Sequence, residues 1–260
     1  MLLAFFQATW GLFAALAFFA VSAFYWSRTA GKEAAETEIS GRSRSALTNL
    51  FFRRWFYWIL GPIERTLIEK KVHPEVLNWA GLAFNILAGF QLAHGRPGTA
   101  ALGIALGGGC DLLDGRIARK RGITSKRGAF IDSTLDRYAD AAVYTGLLWL
   151  FAGDRVLSMI VFMAALGAML VSYARARGEA LGVQDAPAFA QRPERLLLTV
   201  LACMFSPLES AIFGVWGLPP RYYILSGTLF FLAAASHLAA AERFSHAIGA
   251  LDVPGEPPAP

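Results

Sequence analysis

Apolar residues along this chain gather in long, nearly uninterrupted blocks. The first, residues 2–26, is uncharged and rich in aromatics. Six more follow, at about 77–94, 99–115, 130–152, 156–174, 195–214 and 223–241. Several approach the ~20 residues that an α-helix needs to cross the hydrocarbon core of a bilayer. The first block has no basic start and no Ala-x-Ala-like cleavage site before the next polar stretch, so it reads as a retained helix.

Two polar regions break this rhythm. Residues 27–45, including GKEAAETEISGRSRS, are too charged to enter lipid and read as a linker. Residues 49–71 mix the two characters: Leu50, Phe51, Trp55, Phe56, Ile59, Ile63 and Leu67 recur at helical spacing, with Arg53, Arg54, Glu64 and Arg65 between them. Aromatics alternating with cations suit a helix lying in the headgroup layer, and Pro62 should bend it. The end of the chain, VPGEPPAP from Val253, should be disordered. The predicted fold is an all-α polytopic membrane protein. It has a six-helix transmembrane core, an interfacial amphipathic helix and one extra N-terminal transmembrane helix. The predicted divisions are 1–26 for the extra helix, 27–45 for the linker, 46–242 for the membrane domain and 243–260 for the tail.

Composition supports the same class: 55% of the 260 residues are hydrophobic and 17% charged, with mean hydropathy +0.44. Soluble domains carry about 25% charged residues. The net charge of +5 does not point to nucleic acid, because the cations sit between hydrophobic blocks, where they report topology. Regions 27–76, 116–128, 175–195 and the tail hold nine, six, four and one Lys/Arg, whereas the opposite loops hold only Arg96, Arg155 and Arg221. That asymmetry places the basic loops in the cytoplasm and predicts an integral protein of the cell (inner) membrane. In this reading Arg116, Lys120, Arg121, Lys126 and Arg127 serve mainly topology. Cys110 and Cys203 lie apart in apolar stretches, which excludes a disulfide framework and a zinc site.

The chemistry concentrates between Gly107 and Asp140: GGGCDLLDGRIARKRGITSKRGAFIDSTLDRYAD. Acidic residues at the end of a membrane helix are costly and therefore informative. Asp111 and Asp114 are spaced i,i+3, and Asp132 and Asp136 i,i+4, so each pair shares a helical face. The short loop between them should make their helices antiparallel neighbours and bring four carboxylates into one pocket. Four negative charges need neutralising cations, and hard oxygen ligands favour Mg²⁺, Mn²⁺ or Ca²⁺ over zinc. A two-metal site would clamp a pyrophosphate, while one carboxylate, Asp136 by preference, could act as general base on an attacking hydroxyl. Gly115 and Ala118 follow Asp111 by four and seven, and Gly128 precedes Asp132 by four. Their lack of bulk lets a nucleotide or phosphate approach the backbone. Arg119 could bind a phosphate oxygen.

These residues resemble a known signature. Asp111-x-x-Asp114-Gly115-x-x-Ala118-Arg119, eight residues, then Gly128-x-x-x-Asp132-x-x-x-Asp136 is similar to that of the CDP-alcohol phosphotransferases, with every position filled. The resemblance implies a six-helix core around a cytoplasm-facing cavity, covering residues 46–242. It implies that Asp111, Asp114, Asp132 and Asp136 hold two divalent ions, Mg²⁺ or Mn²⁺. Asp136 would take the acceptor's hydroxyl proton, and Asp111, Gly115, Ala118 and Arg119 would contact the departing CMP. The family's Pro-Asn-x-x-Thr appears here as Pro74-Glu75-Val76-Leu77-Asn78, which departs at two places. The resemblance also implies a homodimer.

For the acceptor, Ser172-Tyr173-Ala174-Arg175-Ala176-Arg177 and Gln191-Arg192-Pro193-Glu194-Arg195 resemble the subgroup that uses inositol 1-phosphate. Arg175, Arg177, Arg192 and Arg195 could bind a dianionic phosphate by charge-assisted contacts and would repel choline or ethanolamine. The expected reaction joins CDP-diacylglycerol to a phosphorylated polyol, with a phosphatidylglycerophosphate synthase as the alternative acceptor reading. Intramembrane carboxylates could instead serve an ion- or proton-coupled transporter. That class calls for acids at mid-bilayer and repeated broken helices, and neither pattern is visible here.

Overall fold

The computed structural model describes residues 50–183, 191–217 and 222–251, together with Ala17, Ala20, Val21, Ser22 and Phe24, which are helical. The 27–45 linker, the rest of the first apolar block and the chain after Leu251 lie outside the described residues. Within them, the extended secondary structure comprises α1 (Leu50–Glu69), α2 (Pro74–Ala93), α3 (Pro97–Lys120), α4 (Lys126–Leu150), α5 (Arg155–Ala180), α6 (Arg192–Val215) and α7 (Tyr223–Leu251). The fold class is all-α as expected. Four helices, α2, α5, α6 and α7, are long and apolar enough to cross a membrane. α3 and α4 are as long but carry the acidic cluster.

Local chemistry explains where the helices begin. Pro74 and Pro97 open α2 and α3, where a missing N–H costs nothing. The Ser125 hydroxyl accepts from Gly128 N at 3.0 Å to start α4. Asp154 accepts from Val156 N and Leu157 N at 2.9 and 3.1 Å to start α5. α7 is capped from a neighbour: the buried Glu209 of α6 accepts from Ile224 N at 3.0 Å and from Tyr223 N. Gly122, with φ +65°, closes α3 in the left-handed region that glycine adopts without a Cβ penalty.

The helices overrun the apolar blocks at their charged ends, because a polar side chain does not stop the backbone from bonding within the helix. The clearest case is α7. Residues 243–251, expected to be disordered tail, are its last turns. Arg243 is buried there and donates to Val171 O of α5 at 2.8 Å, which fixes this end of the helix.

The packing order corrects the expectation that α3 and α4 are adjacent. They make little direct contact; α2 packs along both, α3 also packs on α6, and α5 packs on α7. Glycines set the distances. A Cβ on Gly146 of α4 would stand 2.2 Å from Gly89 O of α2, and one on Gly107 of α3 would stand 2.1 Å from Asn85 Nδ2 of α2. Such close seams are how helices associate in lipid, where burial of apolar surface offers no preference for protein over acyl chain. Leu92, Ile104, Leu147, Val161 and Leu225 fill the interior between these seams.

Candidate active site

The last turns of α3 and the first turns of α4 face each other across a narrow cleft, whose wall is completed by Asn78, Gly81 and Asn85 of α2 and by Arg192 of α6. Asp111, Asp132 and Asp136 line it. Carboxylate oxygens of Asp111, Asp114 and Asp132 lie within 4.8 Å of one another. Asp114 Oδ1 accepts from Gly115 N, whereas its Oδ2 is buried and receives no hydrogen bond. Three clustered carboxylates, one of them with a bare buried oxygen, could hold a metal ion. An all-oxygen donor set of this kind fits a hard divalent ion.

The fourth aspartate is held differently. Asp136 Oδ1 lies 2.8 Å from Arg192 Nη1, and its Oδ2 lies 3.7 Å from Arg137 Nη2. The same Arg192 nitrogen is 3.0 Å from Asp111 Oδ2. Asp136 therefore sits between the carboxylate trio and a group of arginines.

The residues expected to contact the nucleotide form a compact run along α3. The Arg119 guanidinium lies over Gly115, where a Cβ would be 3.2 Å from Nη1. Ala118 is half-buried and Arg119 exposed, so the run opens to solvent at the end of α3. Gly128 stands at the opposite lip, in the first turn of α4 and bonded to Ser125.

The four arginines expected to bind the acceptor separate into two pairs. Arg192 and Arg195 occupy the first turn of α6, which is fixed by Gln191 N donating to Glu194 Oε2 at 3.1 Å. Arg192 is 12% exposed at its side chain and Arg195 5%. Arg175 and Arg177 are exposed on the last turns of α5, and Arg175 pairs with Glu179 at 2.9 Å. This is the same end of the bundle, since Ser172 of α5 accepts from Arg137 of α4.

Three features escape the sequence reading. Asp140 is buried one turn beyond Asp136, 3.2 Å from Arg192 Nε and 3.6 Å from Arg195 Nη2. Its signal was available, because it extends the Asp132–Asp136 stripe by another four residues. Arg137 joins the site through Asp136 and Ser172. Arg116 and Lys120 are more than topogenic. Both bind Glu64 of α1, with Arg116 Nη2 at 2.8 Å from Oε2 and Lys120 Nζ at 2.8 Å from Oε1. No local signal could reveal a partner 52 residues away.

A larger groove, about 520 Å³, runs between α5 and α7, walled by Val156, Met159, Met163 and Phe230. It is apolar apart from Arg155 and His237 and offers no carboxylate, so it does not compete with the cleft as a reaction site.

Residues 71–239 match the family described as CDP-alcohol phosphatidyltransferase. The chain belongs to that family. It is an enzyme, a transferase of phospholipid biosynthesis. It is similar to the phosphatidylinositol phosphate synthase of Streptomyces avermitilis, at 35% identity over 66% of this chain and 72% of that protein. The enzyme of the same name from Mycobacteroides abscessus is 32% identical over 80% of this chain and 93% of its own length. Among solved structures, Mycobacterium tuberculosis phosphatidylinositol phosphate synthase with CDP-DAG bound superposes with a TM-score of 0.64 at 29% identity. It covers 76% of this chain and 100% of that one. The same mycobacterial enzyme has also been solved in complex with manganese and citrate, where the TM-score is 0.65 at 29% identity, over 75% of this chain and 92% of that one. The family match starts after α1, so α1 and its Glu64 contact with the signature helix are outside it.

Proposed function

We propose that this phosphatidyltransferase moves the phosphatidyl group of CDP-diacylglycerol to inositol 1-phosphate and releases CMP. The observation that carries the acceptor reading is the pair of arginines on the first turn of α6 at the edge of the aspartate cleft, Arg195 buried and Arg192 partly buried. Two guanidinium groups match a phosphate dianion by bidentate, charge-assisted hydrogen bonds, and they repel a cationic acceptor. Arg175 and Arg177 extend the cationic surface at the same end of the bundle.

In the proposed mechanism the pyrophosphate lies along the α3 face, with CMP beside Asp111, Gly115, Ala118 and Arg119 and opposite Gly128. Asp111, Asp114, Asp132 and Asp136 would hold the divalent cations, whose chemistry is to bind pyrophosphate oxygens and offset the charge on departing CMP. Asp136 accepts the proton of the acceptor hydroxyl. That oxygen attacks the lipid-side phosphorus, a new P–O bond forms, and the bond to the CMP oxygen breaks. Arg192 links this step to acceptor binding. When the acceptor's phosphate engages its guanidinium, the contact with Asp136 Oδ1 loosens, and that oxygen is free for the proton.

The surrounding architecture belongs to the same proposal. α2 to α7 form a six-helix transmembrane core, α1 lies in the headgroup layer, and the catalytic domain runs to the end of α7 at Leu251. The excess of Lys/Arg at the cleft end supports an active site facing the cytoplasm of the cell (inner) membrane, and the family resemblance supports a homodimer.

The test is release of CMP by purified protein given CDP-diacylglycerol and Mg²⁺ or Mn²⁺, with inositol 1-phosphate, glycerol 3-phosphate, free inositol, serine or choline. Turnover confined to inositol 1-phosphate is expected. Preference for glycerol 3-phosphate would make it a phosphatidylglycerophosphate synthase, and turnover with choline would overturn the role of the arginines.

A further inference from the structure

Asp140 lies outside the family signature, yet it is the residue on which Arg192 and Arg195 converge. Arg192 Nε is 3.2 Å from Oδ1, and Arg195 Nη2 is 3.6 Å from Oδ2. The carboxylate is 8% exposed, so its charge is tolerated only because these partners are present. The geometry is economical. Positions 192 and 195 are neighbours on one helical face, and a single carboxylate across the cleft holds both side chains. Arg192 bonds Asp140 through Nε, while its Nη1 reaches Asp111 and Asp136.

We infer that Asp140 is a positioning residue for the acceptor's phosphate: it sets the spacing and direction of Arg192 and Arg195. With Asp111 and Asp136 given over to cations, Asp140 would be the carboxylate left to Arg192 and Arg195, and a phosphate monoester would supply the further anion that two guanidiniums call for. Without the Asp140 charge, Arg192 has only Asp111 and Asp136 to pair with. It then swings toward the reacting carboxylates and away from the acceptor. The cost falls on acceptor binding rather than on CDP-lipid binding, whose nucleotide contacts lie on α3. This inference rests on the reading of Arg192 and Arg195 as acceptor-binding residues.

The experiment compares Arg195→Ala, Asp140→Asn and Asp140→Glu in the full-length protein, measuring KM for inositol 1-phosphate and for CDP-diacylglycerol alongside kcat. Competition by inorganic phosphate serves as a readout of the anion site alone. The expected result for Asp140→Asn is a rise of tenfold or more in acceptor KM, weaker phosphate inhibition and a CDP-diacylglycerol KM within about twofold of wild type. Asp140→Glu keeps the charge and should recover most of the acceptor affinity. If Arg195→Ala raises the acceptor KM and Asp140→Asn does not, Asp140 is not a positioning residue and the acceptor site stands. If Arg195→Ala leaves the acceptor KM unchanged, the acceptor site itself is misassigned and the inference falls with it. Should Asp140→Asn fail to fold, Asp140→Glu decides: both KM values rising together would mean general support of the fold and overturn the inference.

Discussion

Glu64 offers the sharpest test of how α1 is joined to the helices that carry the aspartates. It is 2% exposed, and Arg116 reaches the same oxygen of it with Nε at 3.2 Å and Nη2 at 2.8 Å. The Arg116 side chain is itself only 8% exposed, whereas that of Lys120, the second partner, is 46% exposed. Around them Leu60 of α1, Leu77 of α2 and Leu113 and Ile117 of α3 form an apolar cluster that keeps water out. Removing one partner of a buried pair costs about 3–5 kcal/mol, mostly from the charge left behind. Glu64→Gln retains an amide oxygen that can accept one bond from Arg116, so the lower end, about 3 kcal/mol, is expected. The Lys120 contact adds little because half-exposed pairs are screened. At roughly 2–4 °C per kcal/mol for a domain of this size, the melting temperature in detergent should fall by about 6–12 °C. The double variant Glu64→Met/Arg116→Met removes both charges and fills the space, and it should melt close to wild type. A Glu64→Gln protein melting within 2 °C or so of wild type, or a double variant worse than the single one, would refute the reasoning.

The same residue carries a pH signature. Burial alone would push the Glu64 carboxyl up, but the hydrogen bonds and charges of Arg116 and Lys120 outweigh it and hold the group below its ordinary value of 4.5. A depressed carboxylate stabilises the fold above its unfolded pKa and loses that contribution as pH falls, so the wild-type advantage over Glu64→Gln should shrink below pH 4.5. A gap that persists undiminished in acid would contradict this. At the glycine seam, Gly146→Ala places a Cβ against Gly89 O, so α2 and α4 must part. About 1–3 kcal/mol of stability should be lost, seen as a lower melting temperature, and an unchanged melt would mean the seam can relax. Asp136→Asn should abolish CMP release by about 10²-fold or more while CDP-diacylglycerol binding persists. Near-normal turnover would remove Asp136 as the base.

Some of this protein could be read from its residues and some could not, and the division is physical. Spanning helices are legible because lipid demands long apolar runs: four of the six later blocks fall inside one helix each, and the blocks at 77–94 and 130–152 pass the ends of α2 and α4 by only one and two residues. Their ends are less legible. Hydropathy marks where lipid stops, and the helices run on through Arg119, Arg177 and Arg243. The aspartates were visible because charge at such positions is costly enough to need a reason. Asp140 follows the same four-residue spacing but lies one turn deeper in the same apolar block, beyond the signature, which ends at Asp136. Glu64 and Arg116 gave no sign, since an ion pair between distant segments leaves no periodicity in either.

The position of α2 shows why a short loop did not make neighbours of the helices it joins. Residues 121–125 would allow α3 and α4 to touch, but direct packing would force the Asp111–Asp114 and Asp132–Asp136 faces together with nothing between them. Instead α2 presents Gly81 and Asn85 toward α3 and Gly89 toward α4, so that both lean on the same helix. The Asn85 amide bonds Gly81 O at 2.8 Å, which satisfies a polar group that the bilayer would otherwise penalise. The facing ends of α3 and α4 can then stay apart by the width of a cleft. Glycine at these α2 contacts serves the site as much as the fold: it allows α2 to lie deep enough for four carboxylates to share one space without collapsing onto one another. A bulkier seam would widen that cleft and weaken the grouping of Asp111 and Asp114 with Asp132, on which the proposed reaction depends.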